Sequence, residues 1–230
     1  TEKIEKSGKL FTGSILNPVR VLLQNSQSEL EYHIDIAINL FDSKNKIAVI
    51  KAGNTIFFYM ENDLLMININ EQKFYSNYFE LHPTDPLSLL SFNSKKYRGS
   101  LRFVISQGEL KVINIVNIED YLKGVVPSEM PIGKNEKNLE ALKAFAICAR
   151  TYSLMKLNMN QTEFDLFVDV RDQVYGGSDK EMSLSNRAVD ETRGTVLFFD
   201  DEPAVTFYHS TCGGETENSN NVFTQKEPHY

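Results

Sequence analysis

From Ile15 to about Val116, apolar residues recur in short runs with turn residues between them, a spacing that predicts successive β-strands. The runs are Val19 to Leu23, Tyr32 to Ile38, Lys46 to Lys51, Thr55 to Met60, Leu64 to Ile69, Ser100 to Ile105 and Leu110 to Val116. In Leu101 to Ile105 and Lys111 to Ile115 polar residues fall on nearly every second position, which predicts strands with one face in water. Turn chemistry separates the runs at Ala52-Gly53-Asn54, at Glu61-Asn62-Asp63, in the His82 to Pro86 loop and at Gln107-Gly108, where a hairpin is expected.

The pattern changes at Asn117. An N-capping side chain followed by Glu119 and Asp120 predicts a short helix that stops at Gly124. Next comes Pro127-Ser128-Glu129-Met130-Pro131, in which two prolines bracket a carboxylate and predict a stiff, non-helical corner. From Glu136 to Leu157, with Asn135 as cap, the stripe Leu139, Leu142, Ala146, Ala149 and Ser153 predicts a long helix, broadened by Phe145 and Tyr152. Ala141, Ala144, Ala146 and Ala149 keep that helix thin enough to be the central buried element of the second half. Beyond it, strands are expected at Phe164 to Val170 and Gln173 to Tyr175, a helix at Met182 to Glu191, and a hairpin formed by Thr195 to Phe199 and Ala204 to Ser210. The fold class is therefore α+β: a β-rich region over 1–97, then a mixed α+β region over 98–230 built around one long helix.

Composition narrows the function. With 230 residues, 41% of them hydrophobic, the chain can bury a substantial core and is not a disordered tract. Against 31 Asp and Glu it has 24 Lys and Arg, a charge of -7, and no basic block that would track nucleic acid or an anionic bilayer. No apolar run is long enough for a transmembrane helix. The start at Thr1 without Met suits a mature product whose targeting segment has been removed, so any export signal is invisible in the sequence. Two Cys and four His without paired spacing support neither a disulfide framework nor a metal site, and no cofactor motif is present.

Three clusters carry candidate chemistry. Glu129 sits among Val125, Val126 and Met130, where partial desolvation disfavours the anion and suits a carboxylic acid that donates a proton, as in glycoside cleavage; a surface Glu in a turn is the plainer alternative. His209, Ser210 and Cys212 precede Gly213-Gly214, either as a substrate-binding corner, as a thiol nucleophile with its base, or as a simple bend. Gln173 and Tyr175 before Gly176-Gly177 suit sugar recognition or the end of a strand. Arg150, inside the long helix, is expected to pair with a structural carboxylate.

Five segments in order resemble one family: Ile118 to Pro131 with PSEM at its centre, Ala144 to Tyr152 (AFAICARTY), Gln173 to Gly177 (QVYGG), Ala188 to Gly194 and Tyr208 to Gly214 (YHSTCGG). Together they are similar to the SpoIID/LytB family, which comprises the stage II sporulation protein D lytic transglycosylases and proteins called amidase enhancers. The resemblance covers roughly residues 98–223. It implies cleavage of peptidoglycan glycan strands between N-acetylmuramic acid and N-acetylglucosamine, with Glu129 as acid and base. It also implies substrate contact or positioning of Glu129 by Ser128, Gln173, Tyr175, His209 and Ser210. An alternative within the family is a non-catalytic wall-binding protein that activates a cell-wall amidase. A Cys212-dependent hydrolase is a third reading. Sporulation members carry Cys and His before the QVY segment, but Asp165 to Asp172 has neither, so zinc is not carried over. Relatives continue past the positions of Val222-Phe223, so further elements are expected beyond Tyr230.

Overall fold

The computed structural model describes residues 10–12, 18–26, 29–69, 72–133, 136–159 and 163–222. Asn135, Ile15 and the residues after Val222 lie outside the described set, and with them the cap assigned to Asn135 and the expected C-terminal elements. The β-rich part is two sheets packed face to face. One has seven strands in the order Leu166–Phe167, Pro18–Ser26, Glu109–Asn117, Ser100–Ser106, Tyr78–Pro83, Ile38–Phe41 and Lys46–Ile50. Its pairings are antiparallel apart from the parallel edge strand Leu166–Phe167. The other is an antiparallel sheet of Glu29–His33, Thr55–Glu61, Leu64–Ile69 and Gln72–Ser76. Phe58 from the small sheet stacks on Phe103 of the large one at 4.0 Å, with Tyr32 edge-on to Phe103, so these rings join the two layers into one core.

The hairpin at Gln107-Gly108 forms as expected, with both residues in the left-handed region that such a turn requires. Tyr32 to Ile38 is two strands rather than one, because Ile34 N–H and O bond across to Asn54 and Gly53 and turn the chain away. Strands at Gln72–Ser76, Tyr78–Pro83 and the Leu90–Phe92/Lys95–Tyr97 hairpin were not apparent from periodicity, and Tyr78–Pro83 takes in part of the expected loop at His82. The expected wet face of 100–106 and 109–117 is largely covered. Leu22, Val104 and Ile113 form a second apolar cluster there, roofed by Tyr78, Ile115, Phe164 and Phe167. The Lys111 ammonium lies over the Phe164 ring, which explains how an alternating Lys comes to be buried.

Strand Glu109–Asn117 runs directly into helix α1, Ile118–Glu129, whose first turn is capped by the Asn117 side chain accepting from Glu119 N–H at 2.9 Å. The helix does not stop at Gly124. It continues through Gly124 and Pro127, and Glu129 is its last residue, followed by extended Met130. Buried Leu122, Val125 and Val126 hold those turns against the core, which outweighs the hydrogen bond that Pro127 cannot donate. Gly124 is required there for space: a Cβ would lie 2.6 Å from the Tyr175 ring and 2.8 Å from the Gly177 carbonyl.

Helix α2, Leu139–Met159, follows a single 3₁₀ turn, Glu136–Asn138. The stripe Leu139, Leu142, Ala146, Ala149 and Ser153 is buried as read from the sequence, whereas Ala141 and Ala144 face solvent and contribute nothing to close packing. Helix α3 is Ser183–Glu191, with Met182 at its N-cap. Thr195–Phe199 pairs with Leu10–Thr12 on one side and Glu202–Pro203 on the other, around a turn in which Asp200 and Asp201 both adopt positive φ. Beyond Ala204 the chain leaves the hairpin, so only its first residues pair. No helix among the described residues is long and apolar enough to cross a membrane.

The helical layer is joined by one buried ion pair. Arg150 is fully buried and forms a two-pronged bond to Glu119, at 2.9 Å from Nε and 2.7 Å from Nη2. Its remaining N–H groups reach the carbonyls of Ala146, Val189 and Thr195, so all five donors are used. Glu119 also accepts from Gly194 N–H at 3.1 Å. Arg150→Met should therefore leave a buried carboxylate uncompensated and cost about 3–5 kcal/mol in urea denaturation. A loss below about 1 kcal/mol would show that the pair does not hold the layer together.

Candidate active site

Glu129 ends α1 and leans against the loop that follows strand Leu166–Phe167. Its Oε1 accepts from Val174 N–H at 2.5 Å, a bond that fixes the orientation of the carboxylate. The loop is held from both sides. Asp172 accepts from Phe167 N–H at 2.8 Å and the Tyr152 hydroxyl at 2.8 Å, and pairs with Lys156 at 2.7 Å. Gly176 N–H reaches the Gly124 carbonyl at 3.2 Å, and Tyr175 N–H reaches Val168 O at 3.0 Å. Gln173 to Tyr175 is thus a strap between helices rather than the expected strand, because its backbone bonds go to Glu129 and to loop carbonyls.

Gln173 and Tyr175 are interior residues. Gln173 has no exposed surface: its carbonyl oxygen accepts from the Tyr121 hydroxyl at 3.2 Å and lies 2.9 Å from the Ser153 hydroxyl, while its amide donates to Ala149 O. Tyr175 is 2% exposed, packs between Tyr97 and Tyr121, and donates to buried Asn114 at 3.1 Å. Burial pushes the Tyr175 hydroxyl far above its usual range, so it stays a neutral donor. Of the two roles read for these residues, direct sugar contact does not fit such burial, and positioning does. They point inward on either side of Val174 and so present its N–H to Glu129.

Ser128 is half-buried and donates to the Gly124 carbonyl at 2.7 Å, one turn back on α1. It also abuts Gly176, where a Cβ would lie 2.7 Å from the Ser128 oxygen. His209 and Ser210 are exposed on the segment after Thr206, which is anchored by a bond from the Thr206 hydroxyl to Cys148 O at 2.8 Å. His209 lines an open cavity of 880 Å³ together with Phe207, Tyr208, Thr211, Cys212 and Glu215. Cys212 is exposed, while Cys148 is half-buried with its thiol pushed up by burial; both are free.

Tyr208, which lines this cavity, was not singled out from the sequence. Its ring stands edge-on to Phe145 at 4.9 Å, and its hydroxyl is buried near Gln173. Burial, and then the charge of Glu129, push that hydroxyl well above its usual range, against a lowering effect of Gln173, so it stays protonated. Its place at the head of the YHSTCGG segment was the available signal. The Val174 backbone donor left none, since every residue carries an N–H. Among the described residues no three His, Cys, Asp or Glu side chains converge as metal ligands.

Comparison with known proteins matches residues 106–199 to the SpoIID family, described as stage II sporulation protein. An uncharacterized protein of Brachyspira hyodysenteriae is 31% identical over 93% of this chain and 57% of its own length. The amidase enhancer of Bacillus subtilis is 37% identical over 71% of this chain and 22% of its own. Stage II sporulation protein D of Bacillus amyloliquefaciens is 32% identical over 50% of this chain and 37% of its own. The chain thus spans little more than half of the first of these relatives and less of the other two. No solved structure matches it significantly.

Gly124→Ala tests the strap directly. The new methyl must displace the Tyr175 ring or the Gly177 carbonyl, so it should cost about 1–3 kcal/mol in denaturation and shift the Val174 amide resonance. An unchanged amide signal would separate Tyr175 packing from the placement of Glu129.

Proposed function

We propose that the protein, whose residues 106–199 match the SpoIID family, acts on the bacterial cell wall as a peptidoglycan lytic transglycosylase outside the cytoplasm. The observation that carries this reading is the placement of Glu129: a single carboxylate at a helix end, its orientation fixed by Val174 N–H. One carboxylate is sufficient for this reaction. Protonated Glu129 gives its proton to the oxygen joining N-acetylmuramic acid to N-acetylglucosamine, and that C–O bond breaks as positive charge builds at the anomeric carbon. The muramic 6-hydroxyl then bonds to the anomeric carbon, its proton returns to the Glu129 carboxylate, and a 1,6-anhydro ring closes without water.

Residues 98–230 would form the catalytic region and 1–97 its β-rich partner. Within the site, His209 and Ser210 lie exposed where a glycan strand can meet them, and the buried Tyr208 hydroxyl supports the carboxylate as a neutral donor. Ser128, Gln173 and Tyr175 position the carboxylate. The charge of -7 gives no long-range attraction for the lactyl and stem carboxylates of the wall, so recognition depends on hydrogen bonds and ring stacking in the groove. No metal or cofactor enters this mechanism.

A second reading has its own support: the relative named amidase enhancer covers 71% of this chain at 37% identity. On that reading the same groove binds glycan strands, Glu129 is a sugar contact, and the partner is a cell-wall amidase.

Incubation with purified glycan strands, intact and stripped of stem peptides, separates the two. Products ending in 1,6-anhydro-muramic acid are expected by mass spectrometry, and strand binding without such products would establish the binding protein instead. Glu129→Gln keeps the shape and the acceptor for Val174 while removing the titrating proton, so cleavage should fall by at least about 100-fold with folding intact. Tyr208→Phe should slow cleavage about 10- to 100-fold, the effect of losing one buried hydrogen bond in the reacting complex. Cys212→Ser should leave the rate unchanged; loss of activity would assign catalysis to the thiol.

A further inference from the structure

One cation beside Glu129 has no part in the mechanism above. Lys180 ends the 3₁₀ turn Ser178–Lys180, which follows the strap and packs on α1. The acids on either side of it in the sequence are both engaged elsewhere. Asp179 Oδ2 accepts from Lys96 N–H of the Leu90–Phe92/Lys95–Tyr97 hairpin at 2.8 Å. Glu181 takes both prongs of Arg98, at 2.7 and 2.9 Å, and the Asn186 amide at 3.1 Å. Lys180 itself is exposed and forms no ion pair among the described residues.

Gly176 fixes where the Lys180 stem runs. A Cβ at Gly176 would lie 2.2 Å from Lys180 Cγ, 2.9 Å from Lys180 Cβ and 2.7 Å from the Ser128 hydroxyl oxygen. Gly176 does not adopt a positive φ, so the backbone there does not call for glycine. Its missing side chain instead leaves a bed on the strap in which the Lys180 stem lies against Ser128, the residue before Glu129. A cavity of 490 Å³ lies between the chain that follows Glu129, at Ile132 and Gly133, and the chain that follows Lys180, at Met182, Ser183 and Leu184. The charged residues of its wall, Glu136 and Arg187, pair with each other at 2.9 Å.

We infer that Lys180 is a specificity-determining residue of the Glu129 site and binds a carboxylate carried by the glycan strand. This rests on the reading that the site takes a wall glycan, whether it cleaves the strand or only holds it. The chain's charge of -7 offers such a carboxylate no attraction from a distance. At contact the balance reverses: Lys95, Lys96, Arg98 and Lys180 stand about this turn against Asp179 and Glu181, and Lys95 and Lys96 also form no ion pair among the described residues. An ammonium whose stem is already held loses less freedom on binding than one on a free stem, and its bond to a carboxylate is charge-assisted. A strand stripped of stem peptides offers the lactyl carboxylate beside each muramic ring, and an intact strand offers those of its peptides.

The test measures strand binding in the Glu129→Gln background, where the strands stay whole. Three probes are used: strands stripped of stem peptides, the same strands with the lactyl carboxylate converted to its methyl amide, and intact strands. Adding Lys180→Gln should weaken binding of a carboxylate-bearing strand about 3- to 10-fold, by an amount that shrinks as salt is added, and leave the methyl amide unaffected. Lys180→Arg should bind as Lys180 does. Loss confined to stripped strands assigns the lactyl carboxylate, and loss on intact strands assigns a carboxylate of the stem peptide. Unchanged affinity of Lys180→Gln for all three probes would overturn the proposal. An equal loss on the methyl amide would also overturn it, by showing that the ammonium serves the protein and not the carboxylate. Absence of binding by every strand, with Lys180 in place, would overturn the glycan reading of the site and the proposal with it.

Discussion

A guanidinium with no contact with water has to place five N–H groups, and the helical half of the molecule is arranged around that requirement. Arg150 draws α1 through Glu119, the end of α3 through Val189, and the last strands through Thr195. Glu119 in turn takes Gly194 N–H. An isolated charge at that depth would cost far more than the fold could supply, so the elements can assemble only in the arrangement that satisfies both partners. The direction of α1, and with it the position of Glu129 ten residues after Glu119, follows from this pair.

A second level of constraint acts on the far end of α1. Gly124 admits Tyr175 against the helix, Asn114 receives the Tyr175 hydroxyl, and Gln173 satisfies Tyr121 and Ser153 below α2. These buried groups turn the Val174 N–H toward Glu129. The β-sandwich enters the site at this point, since Asn114 belongs to Glu109–Asn117, an interior strand of the large sheet. The site therefore depends on a polar network that runs from the sheet through the strap to the helix end, and each buried member is matched by a partner.

Much of this was legible in the sequence because it rests on periodicity and local chemistry. The stripe on α2, the Asn117 cap, the Gln107-Gly108 hairpin and the pairing of Arg150 with a carboxylate all follow from short-range rules. Where those rules failed, tertiary contacts had taken over. Gly124 and Pro127 read as the end of a helix, yet close packing on Tyr175 and the buried Val125 and Val126 carry the helix through them. Gln173 and Tyr175 read as a sugar-binding strand end, yet their polar atoms are consumed inside the protein. Glu129 was legible from its motif, whereas Tyr208 and the Val174 amide became evident only once distant segments were brought together.

In the mechanism we propose, the Glu129 carboxylate serves first as acid and then as base, and the sugar's own hydroxyl replaces water. Digestion of glycan strands in water enriched in heavy oxygen tests this mechanism directly. New muramic ends should carry no heavy oxygen, because ring closure takes its oxygen from the 6-hydroxyl. One heavy oxygen at each new reducing end would show hydrolysis and overturn the proposed mechanism.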